Sequence, residues 1–279
     1  MNARLRRWLR CLKVSLKVNV SRALSLVISM LPRPIFAFLA TFIVTVLKVI
    51  DKRVKACVVI PGKRNYFILM FGKVFAVPGP QEVMQFIMPR PFEKWLTLND
   101  NDIIIEGGSA LGEDTVRMAE IVKRGIIIAV EPNPFNLVFL RHNIRYYNNI
   151  IIVNAALWNK QTILKFNISE PLSSAIATLS ESRSSTTIDI STVTIDDIVA
   201  TFKIGRVNVI KLNIEGAEIE ALQGAKRTLR DVREILIACH HVRRGILTYG
   251  YVSRILRRYG FKVFLVHGPL ARYYVVAKK

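Results

Sequence analysis

Apolar residues fall along this chain in two rhythms, and the change of rhythm marks out its elements. From Asp102 onward, short runs of Ile and Val alternate with segments whose apolar positions recur about every 3.6 residues. Residues 103–105, 126–130, 150–153, 207–212 and 235–238 read as buried strands. Between them, residues 136–147, 196–202, 215–230 and 246–259 read as helices. This alternation predicts parallel strands joined by helical crossovers. Residues 162–168 alternate as a further strand, and 173–185, rich in Ser and Thr without periodicity, predict a loop over the site. The last two strands, 261–266 and 273–277, are joined by HGPLAR. That connection is too short for a helical crossover, so the two must pair antiparallel. The fold class is therefore α/β, with a mostly parallel twisted sheet closed by a C-terminal antiparallel hairpin.

The upstream pattern differs. Residues 4–18 place Leu5, Trp8, Leu9, Leu12 and Leu16 on one helical side, with Arg6, Arg10, Lys13 and Lys17 on the other. Two apolar runs follow, 23–31 and 35–47, separated by Pro32-Arg33-Pro34. Neither reaches the roughly 18–20 residues a bilayer span needs, and no small-residue cleavage site follows, as a signal peptide would require. A helical hairpin in or on one leaflet is one expectation; packing against the rest of the chain, or a dimer face, is the other. Residues 65–77 alternate as strands around Gly72, and Pro78-Gly79-Pro80 ends them. The chain thus divides into a basic helical N-terminal appendage (1–60), a lead-in hairpin and helix (61–100) and a main domain (101–279).

Charge sharpens this division. The 279 residues carry a net charge of +21 and a pI near 10.3, a balance that first suggests nucleic acid. Residues 1–58, however, hold twelve Lys and Arg against the single acid Asp51, so much of the excess belongs to the appendage. No interleaving of aromatic and basic residues accompanies it. An anionic membrane surface contacted through residues 1–50 fits better than nucleic acid. The three cysteines, Cys11, Cys57 and Cys239, are far apart and odd in number, which argues against a disulfide framework and for a cytoplasmic setting, peripheral on the inner face of a membrane. No metal-ligand spacing is present.

Candidate chemistry concentrates in 103–134. Ile103–Ile105 leads into Gly107, Gly108 and Gly112, and a second Ile run ends on Glu131. Strand, glycine turn, helix, strand and acid is the order of a nucleoside-binding βαβ unit, in which the acid accepts ribose hydroxyls. A dinucleotide loop wants Gly at relative positions one, three and six. Here those positions hold Gly107, Ser109 and Gly112, so the middle glycine is missing. Glu106 at the strand end would repel a pyrophosphate and attract an ammonium. Both features favour S-adenosylmethionine over NAD. On this reading Glu106 meets the methionine ammonium, Gly108 and Gly112 permit close backbone approach, Glu131 takes the ribose diol, and Asn154 and Ala155 lie near the adenine.

The words EGGSALGEDT, AVEPNP, NAAL at 154–157, TVTIDD at 192–197 and KLNIEGAEIEALQGA at 211–225 together resemble the FkbM-type S-adenosylmethionine-dependent methyltransferases, over about residues 100–268. The resemblance implies a Rossmann-like class I methyltransferase fold and O-methylation of a hydroxyl on a sugar, glycolipid or similar metabolite. An RNA methyltransferase, or an inactive binding protein of the same fold, is the alternative. The chain departs from the family pattern at Glu106 and Asn213, where the family has Asp, and at Gly108-Ser109-Ala110, where it has Gly-Ala-Asn. Alcohol methylation needs a base. Glu215 and His240 are the candidates, with His241 next to the latter; an amide at Asn213 cannot take the proton.

Overall fold

A computed structural model describes residues 31–50, 55–88, 90–168, 174–176, 186–239, 242–243, 246–268 and 273–279. The helix expected over 4–18, most of the run 23–31, and His240 and His241 lie outside the described residues. The chain separates into two compact units, residues 1–89 with 267–272, and residues 90–266 with 273–279.

In the first unit, helix α1 (Arg33–Ile50) starts inside the Pro-Arg-Pro break, where proline's fixed φ suits a first helical turn. Strands β1 (Cys57–Pro61), β2 (Tyr66–Met70) and β3 (Lys73–Val77) form an antiparallel meander. The turn between β2 and β3 is Phe71-Gly72, with φ of 56° and 70°, the left-handed pair that a two-residue hairpin requires. Three strands stand where the alternation predicted one hairpin, because β1 lay hidden at the end of the basic segment. The first half of the expected helical hairpin lies outside the described residues. Helix α1 packs along β1, burying Phe36, Ala37, Ala40 and Val44. Thr41 Oγ1 accepts from the Val59 amide at 2.9 Å and donates to Ala37 O. Arg33 fastens the start of the helix to the β1–β2 turn, donating to the carbonyls of Gly62 (2.7 Å), Lys63 and Arg64 (2.7 Å) while its guanidinium lies 4.9 Å from the centre of the Tyr66 ring. Helix α2 (Pro80–Ile87) completes the described part.

The second unit opens with the short helix α3 (Pro91–Trp95) and is built on seven strands. These are β4 (Ile103–Gly107), β5 (Ile126–Val130), β6 (Ile150–Val153), β11 (Val209–Leu212), β12 (Glu234–Ala238), β15 (Lys262–His267) and β16 (Tyr273–Lys278), in the order β15-β16-β12-β11-β4-β5-β6. Strands β12, β11, β4, β5 and β6 run parallel, and β16 joins antiparallel to β12. Successive residues serve opposite faces: Ile105, Ile128 and Ile210 pack in one core with Ile195, Leu222 and Leu256, while Ile104, Ile127 and Val209 pack in another with Phe92, Met118 and Val122. Both faces are covered, which is why the strands read as unbroken apolar runs.

Helices α4 (Glu113–Ala119) and α5 (Pro134–Ile144) make the first crossovers; Asn133 caps α5, its side chain accepting from the Phe135 amide at 2.9 Å. A second sheet follows, formed by β7 (Ala156–Leu157), β8 (Ile163–Ile168), β9 (Ser174–Ile176) and β10 (Thr186–Val193), in the order β7-β10-β8-β9. The expected loop over 173–185 therefore contains a strand, and the strand before α6 (Ile195–Thr201) is longer than its sequence signal. The helix expected over 215–230 is broken: α7 covers Glu218–Gln223, and a 3-10 turn covers Thr228–Arg230. The break falls at Gly224, where a β-carbon would lie 2.3 Å from the Trp158 carbonyl oxygen. Two-residue strands β13 (Val242–Arg243) and β14 (Ile246–Leu247) precede α8 (Tyr249–Arg258), so this helix starts later than its periodicity suggested.

Candidate functional site

The carboxyl ends of β4, β5, β6 and β11 open into a cleft. Gly108 leaves β4 with φ of 74°, and its amide and that of Ser109 donate to the Val130 carbonyl at 2.9 and 3.2 Å. A β-carbon on Gly108 would stand 2.0 Å from the carbonyl oxygen of Asn213, so only glycine lets this turn pass the end of β11. Ala110 follows with φ of 48°, uncommon for a residue with a side chain, and its amide donates to Glu131 Oε2 at 2.8 Å.

Glu131 caps β5 and is 4% exposed. Its other oxygen accepts from the Asn133 amide at 2.9 Å and from Asn136 Nδ2 at 3.1 Å. Burial pushes its carboxyl up to about 7, against the pull of those donors. A carboxylate offers about four acceptor positions, so three protein donors leave room for one more on Oε2.

Across the cleft, the end of β11 supplies Asn213, Ile214 and Glu215. The Asn213 amide donates to the Gly107 carbonyl at 3.0 Å, while its side-chain Oδ1 is buried with no hydrogen-bond partner among the described residues. Glu215 sits in the turn before α7 rather than in the helix, with φ of 53°. Three residues on, Glu218 is fully buried and accepts from the Gly216 amide at 3.0 Å; burial raises its carboxyl to about 7. Ala155, Ala156 and Leu157 line a third side, and Phe166 of β8 closes the wall from the second sheet.

Gly108, Glu131, Ala155 and Glu215, all singled out by sequence, meet in this cleft. Three others do not line it. Glu106 is fully buried and accepts from Lys211 Nζ at 3.0 Å and from Thr115 Oγ1 at 2.5 Å. Gly112 caps α4 with φ of 91° and turns towards α5, where a β-carbon would come 3.0 Å from Leu140. Asn154 is exposed one residue before the wall begins. Phe166 and Asn136 escaped sequence reasoning: Phe166 because a separate sheet brings it in, Asn136 because it reads as an ordinary first-turn residue. Glu131 two residues before a helix cap could have flagged Asn136.

Two carboxylates and two amides line the cleft among otherwise apolar or glycine positions, and none of the 41 Lys and Arg does so among the described residues. No His, Cys, Asp and Glu cluster suited to a metal ion occurs among the described residues.

No curated protein matches the chain. Among solved structures, methyltransferase FkbM from Methylobacillus flagellatus KT is similar at 19% identity and a TM-score of 0.50, over 67% of this chain and 48% of that one. This chain thus spans about half the length of that relative. Aeropyrum pernix fibrillarin in complex with natively bound S-adenosyl-L-methionine gives 13% identity, a TM-score of 0.44 and coverage of 79% and 98%. Precorrin-6y C5,15-methyltransferase from Geobacter metallireducens GS-15 gives 14%, 0.41, and 66% and 84%. A family model described as the methyltransferase FkbM domain matches residues 102–263, from the approach to β4 into β15. With more than half of its residues under that match, the chain belongs to the FkbM methyltransferase family.

Proposed function

We propose that this chain is an S-adenosylmethionine-dependent methyltransferase that methylates a hydroxyl oxygen on an uncharged sugar, glycolipid or other small metabolite. The carrying observation is the lining of the cleft: Glu131, Glu215, Asn136 and Asn213 supply its polar groups, and no cation among the described residues does. Such a wall suits a cofactor bearing a sulfonium and an ammonium. It disfavours an acceptor bearing phosphates, so an uncharged hydroxyl fits better than RNA.

The residues present fit that cofactor. Glu131 has one acceptor position left for a ribose hydroxyl, and the Gly108 turn brings backbone to the cleft without a side chain in the way. The cofactor, when bound, supplies the electrophilic methyl group. Alignment of the acceptor oxygen is the protein's main contribution. Glu215 accepts the hydrogen bond of the reacting hydroxyl and takes its proton as the new bond to carbon forms, while Asn213 Oδ1, buried and unpartnered among the described residues, accepts from a neighbouring hydroxyl of the acceptor and so orients it. Isothermal calorimetry with S-adenosylmethionine tests the first half: absence of binding sinks the reading. Incubation with methyl-labelled cofactor and a lysate, then separation into lipid, glycan and RNA fractions, tests the second, and label confined to RNA overturns it.

Attachment to an anionic membrane surface through residues 1–50 belongs to the same reading, supported by twelve Lys and Arg against one acid in residues 1–58.

A further inference from the structure

Helix α1 is apolar on two faces, and its own unit covers only one. Phe36, Ala37, Ala40 and Val44 are buried. On the opposite side Ile35, Phe38, Phe42 and Val46 are 49, 71, 58 and 44% exposed. Their spacing makes one continuous stripe along the helix. A helix apolar all round is ordinarily buried all round, so this stripe lacks a cover among the described residues.

The charges around it say what the cover is. Arg33, held by the carbonyls of the β1–β2 turn, brings exposed Lys63 and Arg64 to the start of the helix, and exposed Lys48 stands near its end. Among the described residues before Pro89 the sole acid is Glu82, which is buried. Residues 1–30 add seven Lys and Arg and no acid. A second copy of the chain, or residues 1–30 themselves, would bring cations against cations. Nucleic acid would neutralise them but leave Phe38 and Phe42 in water. An anionic bilayer interface satisfies both the stripe and its flanking charges. No described helix is long and apolar enough to cross a membrane.

We propose that α1 lies parallel to an anionic bilayer with Ile35, Phe38, Phe42 and Val46 inserted among the acyl chains, while its other face stays packed on β1. The inference rests on the membrane-attachment reading and names the contacting face. The test is flotation of the full chain with vesicles of phosphatidylcholine alone, or with phosphatidylserine added. Wild type floats with the anionic vesicles and stays behind with the neutral ones. F38E/F42E lowers the partition coefficient at least tenfold, F38L/F42L retains it, and both variants keep the wild-type melting temperature because the two positions are exposed. K63Q/R64Q weakens binding and lessens its salt dependence.

If F38E/F42E floats as well as wild type, the stripe is not the contact, although attachment itself stands. If wild type does not float, both ideas fail. A dimer that F38E/F42E converts to monomer in light scattering assigns the stripe to a second copy and overturns the proposal, as does release from vesicles on adding RNA.

Discussion

Lys211 and Glu106 stand opposite one another on adjacent parallel strands, and Nζ of the lysine lies 3.0 Å from Oε1 of the glutamate, out of reach of water. The same Nζ reaches Asp114 Oδ2 at 2.8 Å, and Asp114 in turn pairs with Arg90. Burial alone would raise Asp114, but Arg90 and Lys211 outweigh it and hold the carboxyl well below the usual range. Burial dominates at Glu106, whose carboxyl is raised despite Lys211. Lys211→Met leaves Glu106 in the interior without its cation and Asp114 with Arg90 alone, and should cost about 3–5 kcal/mol in urea unfolding. Adding Glu106→Gln to that variant should recover part of the loss, a non-additivity that a double-mutant cycle measures.

Gly108 offers a second test with an internal control. Gly72 and Gly108 share a left-handed backbone, but a β-carbon at Gly72 meets nothing within 4 Å, whereas one at Gly108 overlaps the Asn213 carbonyl. Gly72→Ala should cost only the roughly 1–2 kcal/mol of the conformation itself. Gly108→Ala should cost more in chemical denaturation and, by displacing β11 from the turn, weaken S-adenosylmethionine binding in calorimetry at least tenfold. Equal losses at the two positions would refute the steric account.

Glu131 makes a pH-dependent contribution whose sign follows from its shift. With the folded value near 7 and the ordinary value 4.5, the folded chain holds a proton that the unfolded chain has released between those limits. Stability from this group therefore falls as pH rises through that window. Glu218, also raised to about 7, acts in the same direction. The slope of urea midpoint against pH between 5 and 7 should flatten in Glu131→Gln and again in Glu218→Gln. Absolute stability is not the readout, since an amide at 131 cannot accept from all three present donors.

The proposed roles of Glu215 as base and Asn213 as orienting group are separable by substitution. Glu215→Gln should lower kcat by about 100-fold or more, the usual contribution of a general base, while leaving S-adenosylmethionine affinity within a factor of two. Asn213→Asp places an acid where the Oδ1 atom is buried and unpartnered among the described residues; faster turnover would show that the amide limits proton transfer, and unchanged turnover that Glu215 suffices. No turnover in either wild type or Asn213→Asp, with cofactor bound in both, would favour a binding protein that has lost catalysis.

The central sheet was legible because it is covered on both faces: the Ile runs at 103–105 and 126–128 can report nothing else when bounded by Gly107 and Gly125. The cleft was half legible. Gly108 and Glu131 sit where chain position alone puts them, at the ends of neighbouring strands. The burial of Glu106 was not legible, because sequence shows that an acid ends a strand, not where its oxygens go. The signal for its ion pair was Lys211, a lone cation in the otherwise apolar strand VIKL, which demands a buried acid on an adjacent strand. Phe166 had no such signal, since its place depends on how a second sheet docks.

The hydrogen bond from the Val59 amide to Thr41 has a consequence for how the protein behaves in a crowded solution. Strand β1 is the border of its meander, and a border strand offers its unpaired amides to any extended peptide nearby. Thr41 occupies one such amide at the middle of β1, with the hydroxyl proton already given to Ala37. Helix α1 thereby acts as a gatekeeper against strand recruitment, so cutting the chain between α1 and β1 should turn the protein into a seed for fibrous aggregates.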